Sequence, residues 1–143
     1  MYLTTTCTMR QALERMEYNS YTAVPLIDEK GRYTGTITEG DLLWKFKNTP
    51  NLTMKDTEKV PIKEVPRRSD NQPVRIYAKI QDLLSLAMDQ NFVPVIDDNG
   101  VFIGIVRRRE ILEHFSKLVL AQTTWSNKEG SPGGSMDGKG KSL

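Results

Sequence analysis

One cysteine, one histidine and the lack of any long apolar run narrow the possibilities before a motif is considered. Cys7 stands alone, so the chain can form no internal disulfide and no thiolate metal cluster, which suits a reducing cytosol. His114 is equally single and distant in sequence from Cys7, and no His/Glu spacing suggests a metal site. The longest apolar stretch, VFIGIV at 101–106, is far short of the roughly 20 residues that cross a bilayer. The start, MYLTTTCTMRQALERMEY, lacks the basic-then-apolar order of a secretory signal. Charge of one sign is also missing: 20 Lys+Arg against 18 Asp+Glu leave a net +2, too little to draw in nucleic acid or anionic lipid. The basic runs Arg67-Arg68 and Arg107 to Arg109 carry no interleaved aromatics, and no Gly-rich phosphate loop is present. A soluble, cytoplasmic protein with no metal, no cofactor, no nucleic-acid partner and no membrane partner is expected.

What the sequence does hold is a repeat. Within 143 residues, about the size of one compact domain, Val24-Pro25 through Phe46 aligns without a gap on Val93-Pro94 through Phe115, at a constant offset of 69. Ile27-Asp28 falls on Ile96-Asp97, Gly31 on Gly100, Gly35 on Gly104 and Leu43 on Leu112. Each copy reads as helix, strand, turn, strand, helix. In the first, Ala12, Leu13 and Met16 share a helical face, AVPLI and YTGTI are strands around DEKGR, and Leu42, Leu43 and Phe46 mark the second helix. In the second, Ile80, Leu83, Leu84, Ala87 and Met88 form the first helix, FVPVI and VFIGIV the strands, and Ile111, Leu112, Phe115 and Leu118-Val119 the last helix. Pro25 cannot donate to a ladder, which predicts a strand start or an edge there.

The repeat divides the chain into a first copy at 1–50, a connector at 51–73, a second copy at 74–122 and a tail at 123–143. The connector predicts a short helix at MKDTEK and an extended VPIKEV, and its apolar residues predict that it packs on the body. The Gly/Ser/Lys-rich tail has almost no apolar content and is expected to be disordered.

An apolar-Pro-apolar-Asp strand, a Gly turn, then Gly-x-x-Thr-x-x-Asp-Leu-Leu strongly resembles the CBS motif, and its recurrence resembles the tandem pair called a Bateman module, here of the small stand-alone bacterial kind. The resemblance spans roughly residues 1–120. It implies an α+β fold of two βαββα motifs related by a pseudo-twofold axis, with clefts between them that take adenosine-containing ligands: AMP, ATP, S-adenosylmethionine or cyclic di-AMP. It also implies a homodimer that regulates another protein.

Thr38 and Asp41 open the last helix of the first copy. The start of a helix attracts phosphate through free N–H groups and its dipole, and the resemblance gives Thr38 to phosphate and Asp41 to ribose. The same Thr-x-x-Asp spacing is equally a helix cap. In the second copy Arg107 replaces Thr38 and Glu110 replaces Asp41, so the two clefts are expected to differ, the first copy holding the better site. Three arginines at a helix start oppose the dipole by about 0.3–1 kcal/mol each. Arg107 and Arg108 read either as guanidiniums reaching across the cleft to phosphate or as a solvated rim, while Arg109 has Glu113 as a helical partner four residues on. An Arg-Arg pair here resembles small CBS proteins that bind cyclic di-AMP. Tyr21, Thr22, Ala23 and Pro25 lie where the family presents groups to adenine; Tyr21 is either a stacking partner or a half-buried core aromatic. The family also uses residues just before the first helix, here Leu3 to Thr6 or positions ahead of Met1. Trp44 fits core packing or a dimer face.

The resulting expectation is a non-catalytic regulatory module that binds an adenine nucleotide or dinucleotide and signals to a partner protein. The alternative is a dimerising scaffold without ligand. Catalysis would have to come from Glu110 with Arg107, and nothing supplies a nucleophile.

Overall fold

The structure is a computed structural model that describes the backbone of residues 1–130 and the side chains of 1–122. The first half comprises β1 (Leu3–Thr4), α1 (Met9–Asn19), β2 (Ala23–Ile27), β3 (Tyr33–Thr38) and α2 (Glu39–Asn48). The second comprises β4 (Val74–Arg75), α3 (Ile80–Ala87), β5 (Phe92–Ile96), β6 (Phe102–Arg107) and α4 (Arg108–Gly130). Each half is therefore a βαββα unit, an α+β fold, with its own three-stranded sheet ordered β1-β2-β3 or β4-β5-β6. Helix α4 runs on through 123–130, where the composition leads one to expect disorder, and the rest of the expected tail, 131–143, lies outside the described residues.

Local chemistry explains why both copies turn alike. The Asp28 carboxylate accepts the N–H groups of Lys30 and Arg32 at 2.9 and 2.8 Å, and Asp97 does the same for Asn99 and Val101 at 2.8 and 2.9 Å. These bonds, led by that from Arg32, hold the Asp28 carboxyl below its ordinary value. Gly31 and Gly100 then adopt φ of 82° and 83°, a left-handed conformation that costs a side-chain-bearing residue about 1 kcal/mol or more.

Pro25 sits inside β2, the middle strand, and not at a strand start. The Ile27 carbonyl accepts Thr5 N–H on the β1 side, so by alternation Pro25 also turns its nitrogen toward that side. β1 pairs only with Leu26 and Ile27 and does not reach Pro25, so the missing donor is not needed.

The connector departs from expectation at VPIKEV. It forms a 3₁₀ turn at Ile62–Glu64, after an earlier one at Lys55–Lys59. Ile62 N–H donates to Cys7 O at 2.9 Å and Met9 N–H to Val60 O at 2.7 Å, which drops Ile62 and Val65 into the core of the first half. That core also holds Leu3, Met9, Ala12, Val24, Leu26 and Ile37, whereas the buried cluster of the second half is Ala87, Val93 and Ile111.

Candidate functional site: two clefts between the halves

The halves join at their hairpin tips by a reciprocal pair of bonds. Tyr33 N–H donates to Gly100 O (3.2 Å) and Phe102 N–H to Gly31 O (2.8 Å). Both partners of one bond map onto those of the other at the offset of the repeat, so the local axis is a pseudo-twofold. It generates two equivalent clefts, and they differ in what fills them.

The first cleft is open, a cavity of about 250 Å³ lined by Met1, the loop Ser20 to Pro25, Asn91, Phe92, Ile105 and Arg107. The loop is anchored because Thr22 O accepts Glu39 N–H at the start of α2 (3.0 Å), matched in the other half by Asn91 O and Arg108 N–H (2.9 Å). Gly104, on the strand forming one wall, has no heavy atom within 4 Å of where a Cβ would stand. Tyr21, Thr22, Ala23, Pro25 and Arg107, five of the expected site residues, thus share one cavity. Phe92, Asn91 and Ile105 complete it; the register of the repeat places them opposite, a signal visible only once the two halves are apposed.

The equivalent cleft, at Gly35 and Thr36, is filled by the connector. Asp70 Oδ1 accepts Thr36 N–H at 2.8 Å and lies 2.5 Å from where a Cβ on Gly35 would be. Asn71 O accepts the Tyr33 hydroxyl (2.6 Å), and Asn71 Nδ2 donates to Phe92 O (3.0 Å). Gln72 and Gln90 exchange two bonds: Gln72 N–H to Gln90 Oε1 at 2.7 Å and Gln90 Nε2 to Gln72 O at 3.1 Å. Burial pushes the Tyr33 phenol up to about 12, so it stays a donor. Burial also pushes the Asp70 carboxyl up, but the Arg67 guanidinium at 2.7 Å and the Thr36 N–H together outweigh it and hold the group below its ordinary value. Sequence reasoning missed Asp70, Asn71 and Gln72, whose polarity reads as a solvated loop.

Thr38, Asp41 and Arg108 are not among the lining residues of the open cavity. Thr38 Oγ1 accepts Asp41 N–H (3.1 Å) while Asp41 Oδ2 accepts Thr38 N–H (3.0 Å), a reciprocal helix cap. Asp41 is 2% exposed, and its remaining oxygen accepts the N–H of Arg68 in the connector (3.1 Å). Glu110 keeps half of this arrangement by accepting Arg107 N–H at 2.9 Å. Arg108 turns away from the open cleft: its Nε donates to Ala87 O (2.8 Å) and Gln90 O (3.1 Å), tying α4 to the end of α3. Arg109 pairs with Glu113 at 3.6 Å on the surface. Trp44 is half-buried under Arg68, whose guanidinium lies 5.2 Å from the ring centre. His114 is exposed, and Cys7 is buried with its thiol pushed up by that burial.

Among the described residues no cluster of His, Cys, Asp or Glu is placed to hold a metal, and no helix is long and apolar enough to cross a membrane. Among curated proteins, an uncharacterized protein of Methanopyrus kandleri is 28% identical over 105 residues, 69% of this chain and 49% of its own length. The chain thus spans about half of that relative. A CBS domain-containing protein of Dictyostelium discoideum is 27% identical over 118 residues, 78% of this chain and 81% of its own. Among solved structures, CbpB in complex with c-di-AMP superposes with a TM-score of 0.73 at 24% identity, covering 87% of this chain and 81% of that one. The CBS domain family profile matches residues 1–48 and 62–117, the second match taking in the later part of the connector as well as the second half, and the chain belongs to the CBS domain family.

Proposed function

We propose that the chain is a non-catalytic, cytoplasmic regulatory module that binds an adenine nucleotide or dinucleotide in the open cleft and signals its presence to a partner protein. The observation that carries this reading is the convergence of Tyr21, Thr22, Ala23 and Pro25 from one half with Phe92, Ile105 and Arg107 from the other on one cavity. Aromatic and apolar walls suit a purine, the loop offers its backbone edge to the base, and Arg107 supplies a cation at the rim for phosphate. About 250 Å³ is near the lower end of ligand pockets, which commonly run about 300–1,000 Å³. It suits one base and part of its sugar, with phosphates facing outward. Cyclic di-AMP is the first candidate because the similar CbpB was solved with that ligand.

The roles differ from those implied for the family motif. Asp41 does not line this cleft, and its counterpart Glu110 accepts Arg107 N–H, so the ribose contact here falls to groups of the loop and Asn91. Arg107, and not Arg108, takes the phosphate. Thr38 pairs with Ala23 across the sheet and supports the loop from behind.

The module also pairs with a second copy through its outer helices. An apolar groove of about 710 Å³ between α1 and α2 carries Glu17 and Glu39 and the exposed Leu43. The matching face of α4 carries Arg108, Lys117, the Arg109–Glu113 pair and the exposed Leu112. Opposite charges flanking apolar residues favour first half against second half in a homodimer. Sedimentation of the chain as a dimer is expected, and a monomer at micromolar concentration would contradict this.

Calorimetry with cyclic di-AMP, AMP, ATP and S-adenosylmethionine tests the ligand reading. Arg107→Ala is expected to weaken binding on the order of ten- to a hundredfold, the worth of a charged hydrogen bond. The filled second cleft favours one alternative, a scaffold that dimerises without ligand; it predicts a dimer with no thermal shift from any nucleotide.

A further inference from the structure

We infer that Tyr21 couples the cleft it shares with Arg107 to the apolar groove between α1 and α2, so that a nucleotide in the cleft tightens pairing with a second copy at the groove. This rests on the readings of the cleft and of the groove given above, and links them through one residue.

The two cavities share a wall. Ser20 and Tyr21 line both the cleft, beside Phe92 and Arg107, and the groove, beside Leu13, Met16 and Leu43. Tyr21 is half-buried and packs against the core of the first half, so a shift of its ring on one side is felt on the other. A backbone bond makes a second link: Thr22, in the wall of the cleft, accepts at 3.0 Å the N–H of Glu39, in the wall of the groove.

The shared wall stands at the end of α1 in a conformation it can leave. Ser20 N–H donates to Glu17 O at 3.1 Å and Tyr21 N–H to Met16 O at 3.0 Å, a helix end that sets Ser20 at φ 57°. That left-handed position favours glycine, and a serine holds it at a disadvantage, which brings a released loop closer in free energy. Both cavities are formed with the ring in one place. A base that fixes the ring therefore selects the state in which the groove is formed as well, and the coupling is positive. The second half has no such wall. At the position of Tyr21 it carries Gln90, whose amide nitrogen is engaged with Gln72 O (3.1 Å) and Phe92 O (3.2 Å). Among the described residues, the α4 face that answers the groove shares none with the cleft.

The test measures the dimer constant of the full chain by sedimentation equilibrium, with and without saturating cyclic di-AMP or AMP, and nucleotide affinity by calorimetry below and above that constant. Nucleotide is expected to tighten the dimer about fivefold or more, and the dimer to bind nucleotide more tightly by the same factor, because coupling is reciprocal. Tyr21→Phe keeps the ring and is expected to keep that factor. Tyr21→Leu keeps apolar bulk against the core but offers no flat face, and is expected to bring the factor within about twofold of unity. Leu43→Glu blocks the groove without touching the cleft, and is expected to hold nucleotide affinity at the weaker, monomer value at every protein concentration. It decides the coupling even where Tyr21→Leu fails to fold or to bind. A dimer constant that nucleotide leaves unchanged or weakens overturns the coupling while leaving the cleft reading intact. So does a Leu43→Glu chain that binds as tightly as the parent dimer. The full factor retained in Tyr21→Leu overturns the role of Tyr21. No nucleotide bound by the parent overturns the cleft reading and the coupling with it, and a parent that stays monomeric with nucleotide present overturns the groove reading and the coupling.

Discussion

The two halves share a backbone path but not an interior. The first buries Leu3, Cys7, Met9, Ala12, Met16, Val24, Leu26, Ile37 and Leu42 together with Ile62 and Val65 from the connector. Among the described residues the second buries Ala87, Phe92, Val93 and Ile111, and leaves Met88, Leu112, Phe115, Leu118 and Leu120 exposed. The difference lies less in the repeat than in the segment between its copies. The connector finishes the core of the first half and then crosses to fill one of two equivalent clefts. Duplication produced two like units, and the connector made them unlike.

The largest expected effect breaks the first part of that comparison. Ile62, in the connector, is fully buried in the core of the first half. Ile62→Ala should cost about 2–5 kcal/mol in urea unfolding, as for other buried aliphatic truncations. Leu112→Ala, at 47% exposure, should cost less than about 1 kcal/mol in the isolated chain. Equal costs would mean that the connector does not complete the core.

The next prediction sharpens the contrast between clefts. Gly35→Ala should destabilise by about 1–3 kcal/mol, because the new Cβ meets Asp70. Gly104→Ala meets nothing and should be neutral or stabilising by up to about 0.5–1 kcal/mol, the usual gain on replacing a strand glycine. A thermal melt of each variant reads the difference. Similar melting points would show that the clefts are filled alike.

Smaller still is the separation of two neighbouring arginines. Arg108→Ala removes bonds to Ala87 O and Gln90 O and should lower stability by about 1 kcal/mol. Arg107→Ala should leave unfolding within about 0.5 kcal/mol while weakening nucleotide binding.

The smallest effect is on pH. Because the folded Asp70 carboxyl lies below its ordinary value of 3.8, its contribution is complete above that value and is lost as pH falls through the folded one. Exchange at Thr36 N–H, which Asp70 accepts, should therefore gain protection loss in acid relative to base-matched controls, while Ile105 N–H in the open cleft shows no such step. Amide exchange by NMR between about pH 5 and pH 2 checks it.

These contrasts also mark what the sequence could tell. The repeat was legible because Asp28-Gly31 and Asp97-Gly100 build their turns from their own side chains, within a span of a few residues. The loop Tyr21 to Pro25 and Arg107 were legible as neighbours in one cleft because the motif fixes their place at strand ends. Asp41 was ambiguous by nature, since one Thr-x-x-Asp spacing serves both a cap and a ligand. The role of Arg108 was hidden because its partners are carbonyls, and every residue has one. Asp70, Asn71 and Gln72 were hidden for a different reason. Their partners Thr36, Phe92 and Gln90 lie far along the chain, and polar residues between Pro66 and Pro73 look the same in a cleft as in water.

A crystal structure of the chain with cyclic di-AMP tests the difference between the clefts most directly. The account predicts a base between the Ser20 to Pro25 loop and Phe92, phosphate at Arg107, and Asp70 still on Thr36. Ligand seated against Thr38 and Asp41 with the connector displaced, or absent from both clefts, would contradict it.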